Sequence, residues 1–217
     1  MTLKNVNIKA AIVGNVGEAI EVTEGTVTFI LEGENKLTAG YGAALYNAEG
    51  STIILKGTGK LIAQGGNEGA GIGGSRNYRG WQVSVHAGVI KILDGTIEAT
   101  GASGCPGIGA GCGTCEGVEI LGGTVMADAG NGYACPAIGN SNVGGNGSIQ
   151  CEYVTLKECV LTLYPSFSAA PIAATTTTPD LSKADEEPAT VRKALDDANV
   201  QIYKDGTGDE HRWPATN

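Results

Sequence analysis

The sequence predicts an all-β fold, a parallel β-helix of about five coils with a small helical and strand cap at its C-terminal end. Three observations predict it: 35 glycines in 217 residues, a hydrophobic fraction of 41%, and a phrase that recurs along the chain. Glycine at this density also occurs in disordered chains, but those chains lack the valine, isoleucine and leucine that are abundant here. The glycines therefore separate short apolar strands.

The repeated phrase is clearest in two segments that follow one another. Residues 89–99 read Val-Ile-Lys-Ile-Leu-Asp-Gly-Thr-Ile-Glu-Ala, and residues 117–127 read Gly-Val-Glu-Ile-Leu-Gly-Gly-Thr-Val-Met-Ala. The same phrase fits residues 53–63, a decayed copy at 154–162 and, near the start of the chain, residues 20–28. Its central position then falls at Gly25, Gly59, Gly95, Gly123 and Cys159.

An isoleucine that follows the later copies of the phrase recurs along the chain at nearly the same intervals as the phrase itself. The phrase and this isoleucine, the second landmark, together define one coil. Each copy holds three strands of a few residues, which are too short to form a stable sheet alone. If each copy is one coil, its strands stack on the next copy and every backbone group finds a partner above or below. Apolar columns should follow, with Ile90, Ile92 and Ile97 over Val118, Ile120 and Val125. The second landmark is the isoleucine at Ile72, Ile108, Ile138 and Ile172.

The two ends of the chain differ from the repeats. Residues 1–174 form the predicted β-helix, with repeats from about residue 18 and an N-terminal cap or partial coil before them. Residues 175–217 are predicted to be a linker followed by an amphipathic helix at 185–199 and a short strand at 200–203. Because the open end of a solenoid exposes unpaired strand edges, this segment either caps the last coil or drives homo-oligomerisation.

The charge and hydropathy of the chain exclude several partners. A net charge of −9 argues against nucleic acid, whose binding requires a basic surface to neutralise phosphates. No run approaches 18 apolar residues, so membrane insertion is not expected. The first residues show no signal peptide, which predicts a chain that is cytoplasmic at synthesis, carried in a phage or secretion particle, or a fragment of a longer exported protein.

The cysteines predict stacked pairs in neighbouring coils. Aligning the copies brings Cys105 to the position of Cys135 and Cys115 to the position of Cys151. Equivalent residues in adjacent coils lie about 4.8 Å apart, inside the Cα separation of a disulfide. We therefore predict two stacked pairs, either oxidised or as free thiols.

Metal binding and catalysis are the alternatives for the polar residues. Cys112 and Cys115 have the spacing of zinc hooks and thiol redox motifs, but no second such pair exists, so no metal and no cofactor are expected. Sugar-cleaving β-helices bring two or three carboxylates together, and Glu98 and Asp128 are predicted to point outward on neighbouring coils. The interpretation we favour is solvated charge on an exposed face. We identify no catalytic residues and expect a protein that binds rather than catalyses.

One insertion concentrates aromatic and basic side chains in a chain that is poor in both. Arg76, Tyr78, Arg79 and Trp81 lie within residues 75–81. Exposed loops on a rigid scaffold are the usual place for recognition, and aromatic faces with arginines suit sugar rings. We predict that these four residues bind a glycan or a surface protein. The alternative is that Trp81 folds back as a lid on the neighbouring coil.

The phrases Gly-Thr-Val-x-Ala at 123–127 and Gly-Ala-Gly-Ile-Gly-Gly at 69–74 resemble the glycine-rich repeats of bacterial cell-surface proteins, many of them from gut bacteria. The architecture resembles single-stranded, right-handed parallel β-helices of the pectate-lyase-like type, over about residues 18–173. This resemblance implies an extracellular or cell-surface location and adhesion or glycan contact. The expected function is a non-catalytic binding module on a cell surface or virion. The alternatives are a polysaccharide lyase or glycoside hydrolase, and a purely structural assembly protein.

Overall fold

A computed structural model describes residues 1–14, 16–75, 86–111, 113–141, 151–157, 159–166, 169, 172–178, 200–204 and 210–212. Within these ranges every regular element is a β-strand, and most strands pair in parallel. The predicted all-β class is confirmed for this part of the chain. The same residues contain no helix that is long and apolar enough to cross a membrane.

The strands fall into three parallel series, which we name the first, second and third ladders. The first ladder contains β1 (Thr2–Lys4), β4 (Thr26–Glu32), β7 (Thr52–Lys56), β10 (Ala87–Ile92), β13 (Cys115–Ile120) and β16 (Cys151–Leu156). The second contains β2 (Asn7–Lys9), β5 (Glu34–Thr38), β8 (Lys60–Gln64), β11 (Thr96–Ser103), β14 (Thr124–Gly130), β17 (Val160–Tyr164) and β19 (Val200–Lys204). The third contains β3 (Ile20–Val22), β6 (Leu45–Asn47), β9 (Ile72–Gly73), β12 (Ile108–Ala110), β15 (Ile138–Asn140) and β18 (Ile172–Thr178).

The chain visits the three ladders in a fixed order, and each strand pairs with the strand of its own ladder one round later. Strand β18 belongs to two ladders, because Ile172 pairs with Ile138 of β15 while Thr177 pairs with Val154 of β16. The first and third ladders therefore count as one twelve-stranded sheet. Strand β20 (Glu210–Arg212) pairs with β19 in antiparallel fashion and ends the second sheet.

The predicted apolar columns are present. Ile90 lies opposite Val118 and Ile92 opposite Ile120 in the pairing of β10 with β13. Ile97 lies opposite Val125 in the pairing of β11 with β14. All six side chains are fully buried in one core cluster. The core is thus built by stacking like residues, with β-branched side chains alternating inward along each strand.

The prediction was wrong for the first copy of the phrase. The backbone N–H groups of Lys60 and Thr96 bond to the carbonyls of Gly33 and Gly59, respectively, so the counterpart of Gly59 in the preceding round is Gly33 and not Gly25. Strand β3, inside the supposed copy at 20–28, pairs with β6 in the third ladder instead. The error arose because Glu-Gly occurs at both turns and the short strands around them, three to seven residues long, carry little further information.

Both ends of the chain add strands to the ladders. Residues 1–17, predicted as a cap or partial coil, contain β1 and β2. Strand β18 continues to Thr178, past residue 175 where we predicted the linker to begin. The predicted strand at 200–203 is part of β19, which pairs with β17. The predicted helix at 185–199 lies outside the described residues.

Candidate functional site

The five described cysteines have their side chains buried in the core. Cys115 of β13 is the register partner of Cys151 of β16, and both side chains are fully buried. Cys105 and Cys135 are also fully buried, each three residues before an isoleucine of the third-ladder column. The described cysteines form no disulfide with one another, so the oxidised form of the predicted pairs is absent from this structure. Cys112 lies outside the described residues.

Burial gives these thiols a structural rather than a reactive character. The hydrogen bond with Cys151 and burial raise the pKa of Cys115 well above its usual value. Burial raises the pKa of Cys135 to about 12 and that of Cys159 to about 11. Reactive cysteines need the opposite, a lowered pKa in an electropositive and partly exposed setting. These cysteines therefore behave as small apolar side chains of the core.

The raised values predict that the folded protein loses stability at alkaline pH. A folded thiol such as Cys135 keeps its proton to a higher pH than the unfolded thiol, so the unfolded state binds fewer protons above about pH 9. The free energy of unfolding should fall between about pH 9 and 12, by up to about 1.4 kcal/mol per pH unit for each such thiol.

Urea denaturation at stepped pH measures this slope. Substituting Cys135→Ala should make the slope shallower. Alkylation by iodoacetamide at pH 7.5, read by mass spectrometry, should leave Cys115, Cys135 and Cys159 unmodified until denaturant is added. Fast alkylation of these three in the folded protein would contradict the assignment.

Several carboxylates of the sheet faces form ion pairs with lysines of neighbouring strands. Glu98 of β11 forms an ion pair of 2.7 Å with Lys60 of β8, and Glu119 of β13 forms one of 2.9 Å with Lys91 of β10. Glu98 has Met126 as its register partner on β14, while Asp128 has Thr100. Glu98 and Asp128 therefore lie on neighbouring strands and are offset by two residues along them. The Glu98 side chain points away from β14 and toward Lys60 on β8.

The metal-ligating side chains of the described residues do not cluster. Across the described ranges, no three His, Cys, Asp or Glu side chains come together as a metal site. His86 accepts a hydrogen bond of 2.9 Å from the Thr114 backbone N–H at its Nδ1, which also contacts the Thr114 hydroxyl. This contact connects the residues that directly precede β10 and β13 of the first ladder.

The outward face of the second ladder carries a row of hydrogen-bonding side chains, which we name the polar column. Its members are register partners on five consecutive strands, β5, β8, β11, β14 and β17. Each of them is exposed or half-buried, whereas the residue before each of them on its strand is buried in the core. The polar column consists of Thr38, Gln64, Thr100, Asp128 and Tyr164.

The sequence reasoning missed this row although a signal for it exists. Each member follows the inward residue of its second-ladder strand, as Gln64 follows Ala63 and Asp128 follows Ala127. Extending the alignment of the phrase by one residue would have found it. The predicted binding residues Arg76, Tyr78, Arg79 and Trp81 lie outside the described residues, in the connection between β9 and β10.

Comparison of the chain with protein-family models, with curated proteins and with solved structures finds no match.

Proposed function

We propose that this chain is a single-stranded, right-handed parallel β-helix of about five coils that acts as a non-catalytic binding module for glycans. Its place is extracellular, on a cell surface or a virion. A C-terminal cap formed from residues after 178 completes the fold. The function needs a rigid support and a surface of closely spaced hydrogen-bonding groups, and it needs no cofactor.

The polar column is the observation that carries this proposal. Neighbouring members lie about 4.8 Å apart, since each occupies the next strand of a parallel ladder. Hydroxyl and amide groups donate and accept hydrogen bonds and a carboxylate accepts them, which suits the hydroxyls of a sugar chain laid along the ladder. Tyr164 at one end adds an aromatic ring of the kind that packs on a sugar face.

Charge narrows the class of glycan. The chain carries a net charge of −9, and the column itself contains Asp128 but no cation. A uronic-acid or sulfated polymer would be repelled from such a surface. We therefore infer a neutral or amino-sugar polymer as the ligand.

An enzyme on the same scaffold is the second candidate, favoured by Glu98 and Asp128 on adjacent strands of the second ladder. Glycoside hydrolysis needs one carboxyl as acid and another as base or nucleophile across the scissile bond. Of these two carboxyl groups, that of Glu98 is held in an ion pair with Lys60. We therefore favour binding without cleavage. Release of reducing sugar from a bound polymer, lost in Glu98→Gln, would establish the enzyme instead.

A glycan array with a column variant tests the binding proposal. The double variant Gln64→Ala and Thr100→Ala removes hydrogen-bonding groups from neighbouring strands, and each lost bond is worth about 0.5–1.5 kcal/mol. We expect affinity for the neutral polymer found on the array to fall about tenfold. The matched control is Thr28→Ala and Thr155→Ala, which removes half-buried outward side chains from the first ladder.

The binding residues predicted from the sequence allow a second test of where the ligand binds. If Arg76→Ala with Trp81→Ala abolishes binding while the column variant keeps it, the site is the loop and not the column. An array without any signal would overturn the glycan proposal and favour the structural assembly role.

A further inference from the structure

The outward face of the second ladder carries a further row beside the polar column, which we name the middle column. Its members lie two residues before those of the polar column on the same five strands, so both columns share one face. They are successive register partners along the ladder, and each is exposed or half-buried. The middle column consists of Lys36, Ile62, Glu98, Met126 and Thr162.

The middle column alternates between polar and apolar side chains over all five strands. Ile62 and Met126 are half-buried apolar groups on an outward face, and only the strand that carries Glu98 lies between them. Lys36 and Thr162 occupy the strands on the far sides of these two. The face therefore repeats every two strands, which is a distance of about 9.5 Å.

The polar column follows the same two-strand period. Gln64 and Asp128 share their strands with the two apolar groups of the middle column. Thr38 and Thr100 share theirs with charged members of that column, and Tyr164 ends the row on β17. Longer and shorter hydrogen-bonding groups thus alternate beside the apolar and the charged positions.

The charges of this face nearly cancel. Its five strands carry two lysines and three carboxylates, and one of each forms the ion pair between Lys60 and Glu98. A face with so little net charge complements neither a polyanion nor a polycation. The charged residues of these strands are Glu34, Lys36, Lys60, Glu98 and Asp128.

We propose that this face binds a neutral, extended β-1,4-linked hexose polymer, with Ile62 and Met126 as the contacts that determine specificity. In such a polymer each ring is turned by half a turn from the ring before it, and each ring advances by close to one strand spacing. Every second ring therefore presents the same face and the same edge to the protein. Ile62 and Met126 pack against the C–H faces of alternate rings, while the polar column bonds to hydroxyls along one edge. The inference rests on the glycan function proposed above and narrows it to one linkage.

Other linkages do not match the two-strand repeat. An α-1,4-linked chain of the same sugars coils and a β-1,3-linked chain curves, so neither keeps successive rings over successive strands. The five strands span about 19 Å along the ladder, and an extended polymer stays in contact over that length. The alternation of apolar and polar contacts therefore discriminates by linkage.

Titration calorimetry on the whole 217-residue chain tests the linkage with matched hexasaccharides. Cellohexaose is β-1,4-linked, and chitohexaose is its N-acetylated amino-sugar counterpart. Maltohexaose is α-1,4-linked and laminarihexaose is β-1,3-linked, and both contain the same glucose units as cellohexaose. We expect at least one of the β-1,4-linked sugars to bind about tenfold or more tightly than the other two linkages.

Two variants test the apolar contacts. Ile62→Ser with Met126→Ser should weaken binding of the β-1,4-linked sugar about tenfold, because two apolar contacts with sugar rings are lost. The matched control is Ile54→Ser with Val89→Ser, which changes half-buried outward side chains of the first ladder and should leave affinity within about twofold.

The exchange variant Met126→Thr with Thr162→Met tests the period itself. These two residues are register partners on neighbouring strands, so the exchange keeps the composition and moves one apolar group by one strand. We expect affinity for the β-1,4-linked sugar to fall at least about threefold, since the apolar groups no longer meet alternate rings. Circular dichroism of every variant shows whether the fold is retained.

Several results would overturn this inference while leaving glycan binding intact. One is maltohexaose or laminarihexaose binding as tightly as the β-1,4-linked sugars. Another is an exchange variant that binds like the unchanged protein, or a serine pair no weaker than its control. A third is a chain that binds none of the four hexasaccharides while another polymer gives a signal on the glycan array. An array without any signal would overturn the glycan function and this inference together.

Discussion

Replacing Gly109 with alanine is expected to lower the free energy of unfolding by about 3–6 kcal/mol. Gly109 has φ of +132°, in the region that L side chains rarely adopt, and a Cβ there would lie 1.8 Å from the carbonyl oxygen of Gly139. Its ladder neighbours repeat the geometry, since a Cβ at Gly73 would lie 2.0 Å from the carbonyl oxygen of Gly109. The backbone of the next strand occupies the space, and it can move only by breaking ladder bonds.

The measurement is urea denaturation followed by circular dichroism, with Gly25→Ala as the matched control. Gly25 also has positive φ, +71°, but a Cβ there would meet no atom within 4 Å. Its cost should be limited to the backbone strain of about 1–2 kcal/mol. Equal losses for the two variants would show that the third ladder is not packed strand on strand at Gly109.

Truncation of Ile92 to alanine should cost about 2–5 kcal/mol. Ile92 is fully buried and has Leu55 on one side and Ile120 on the other as register partners. The lost methyl groups leave a cavity that neighbouring strands, fixed by their ladder bonds, cannot close. Ile54→Ala, on the outward face of the same ladder and half-buried, should cost clearly less.

The double variant Ile92→Ala and Ile120→Ala extends this test. Because the two side chains are in one column, their cavities merge, and the combined loss should differ from the sum of the single losses by more than about 0.5 kcal/mol. Additive losses within that margin would contradict direct contact of the two side chains.

The inward columns could be predicted from the sequence because two landmarks advanced together. The phrase centred on Gly95 and Gly123 sets the register of two ladders, and the isoleucine of the third ladder sets the remaining one. The first copy could not be placed in this way. Its strands are three to seven residues long, and it is the pairing of β5 with β8, with the hydrogen bond from the Lys60 N–H to the Gly33 carbonyl, that shows which of the two Glu-Gly turns is equivalent.

The polar groups were harder to predict for a different reason. The inward apolar columns can be predicted from the spacing of the repeats alone. The partner of an outward charged side chain depends in addition on the direction in which that side chain points. Glu98 has a strand on each side, and spacing does not tell whether it turns to Lys60 or toward Asp128. Likewise the register predicts that Cys115 lies beside Cys151, but whether a bond forms depends on Cβ geometry and on the redox state.

The most direct test of the stacked columns uses the isoleucines of the third ladder. Ile72, Ile108 and Ile138 are successive register partners, and all three are fully buried. In a sample labelled at isoleucine δ1-methyl groups, the account predicts nuclear Overhauser contacts between Ile72 and Ile108 and between Ile108 and Ile138, and none between Ile72 and Ile138. Absence of both neighbouring contacts, or a direct contact between the outer two, would contradict it.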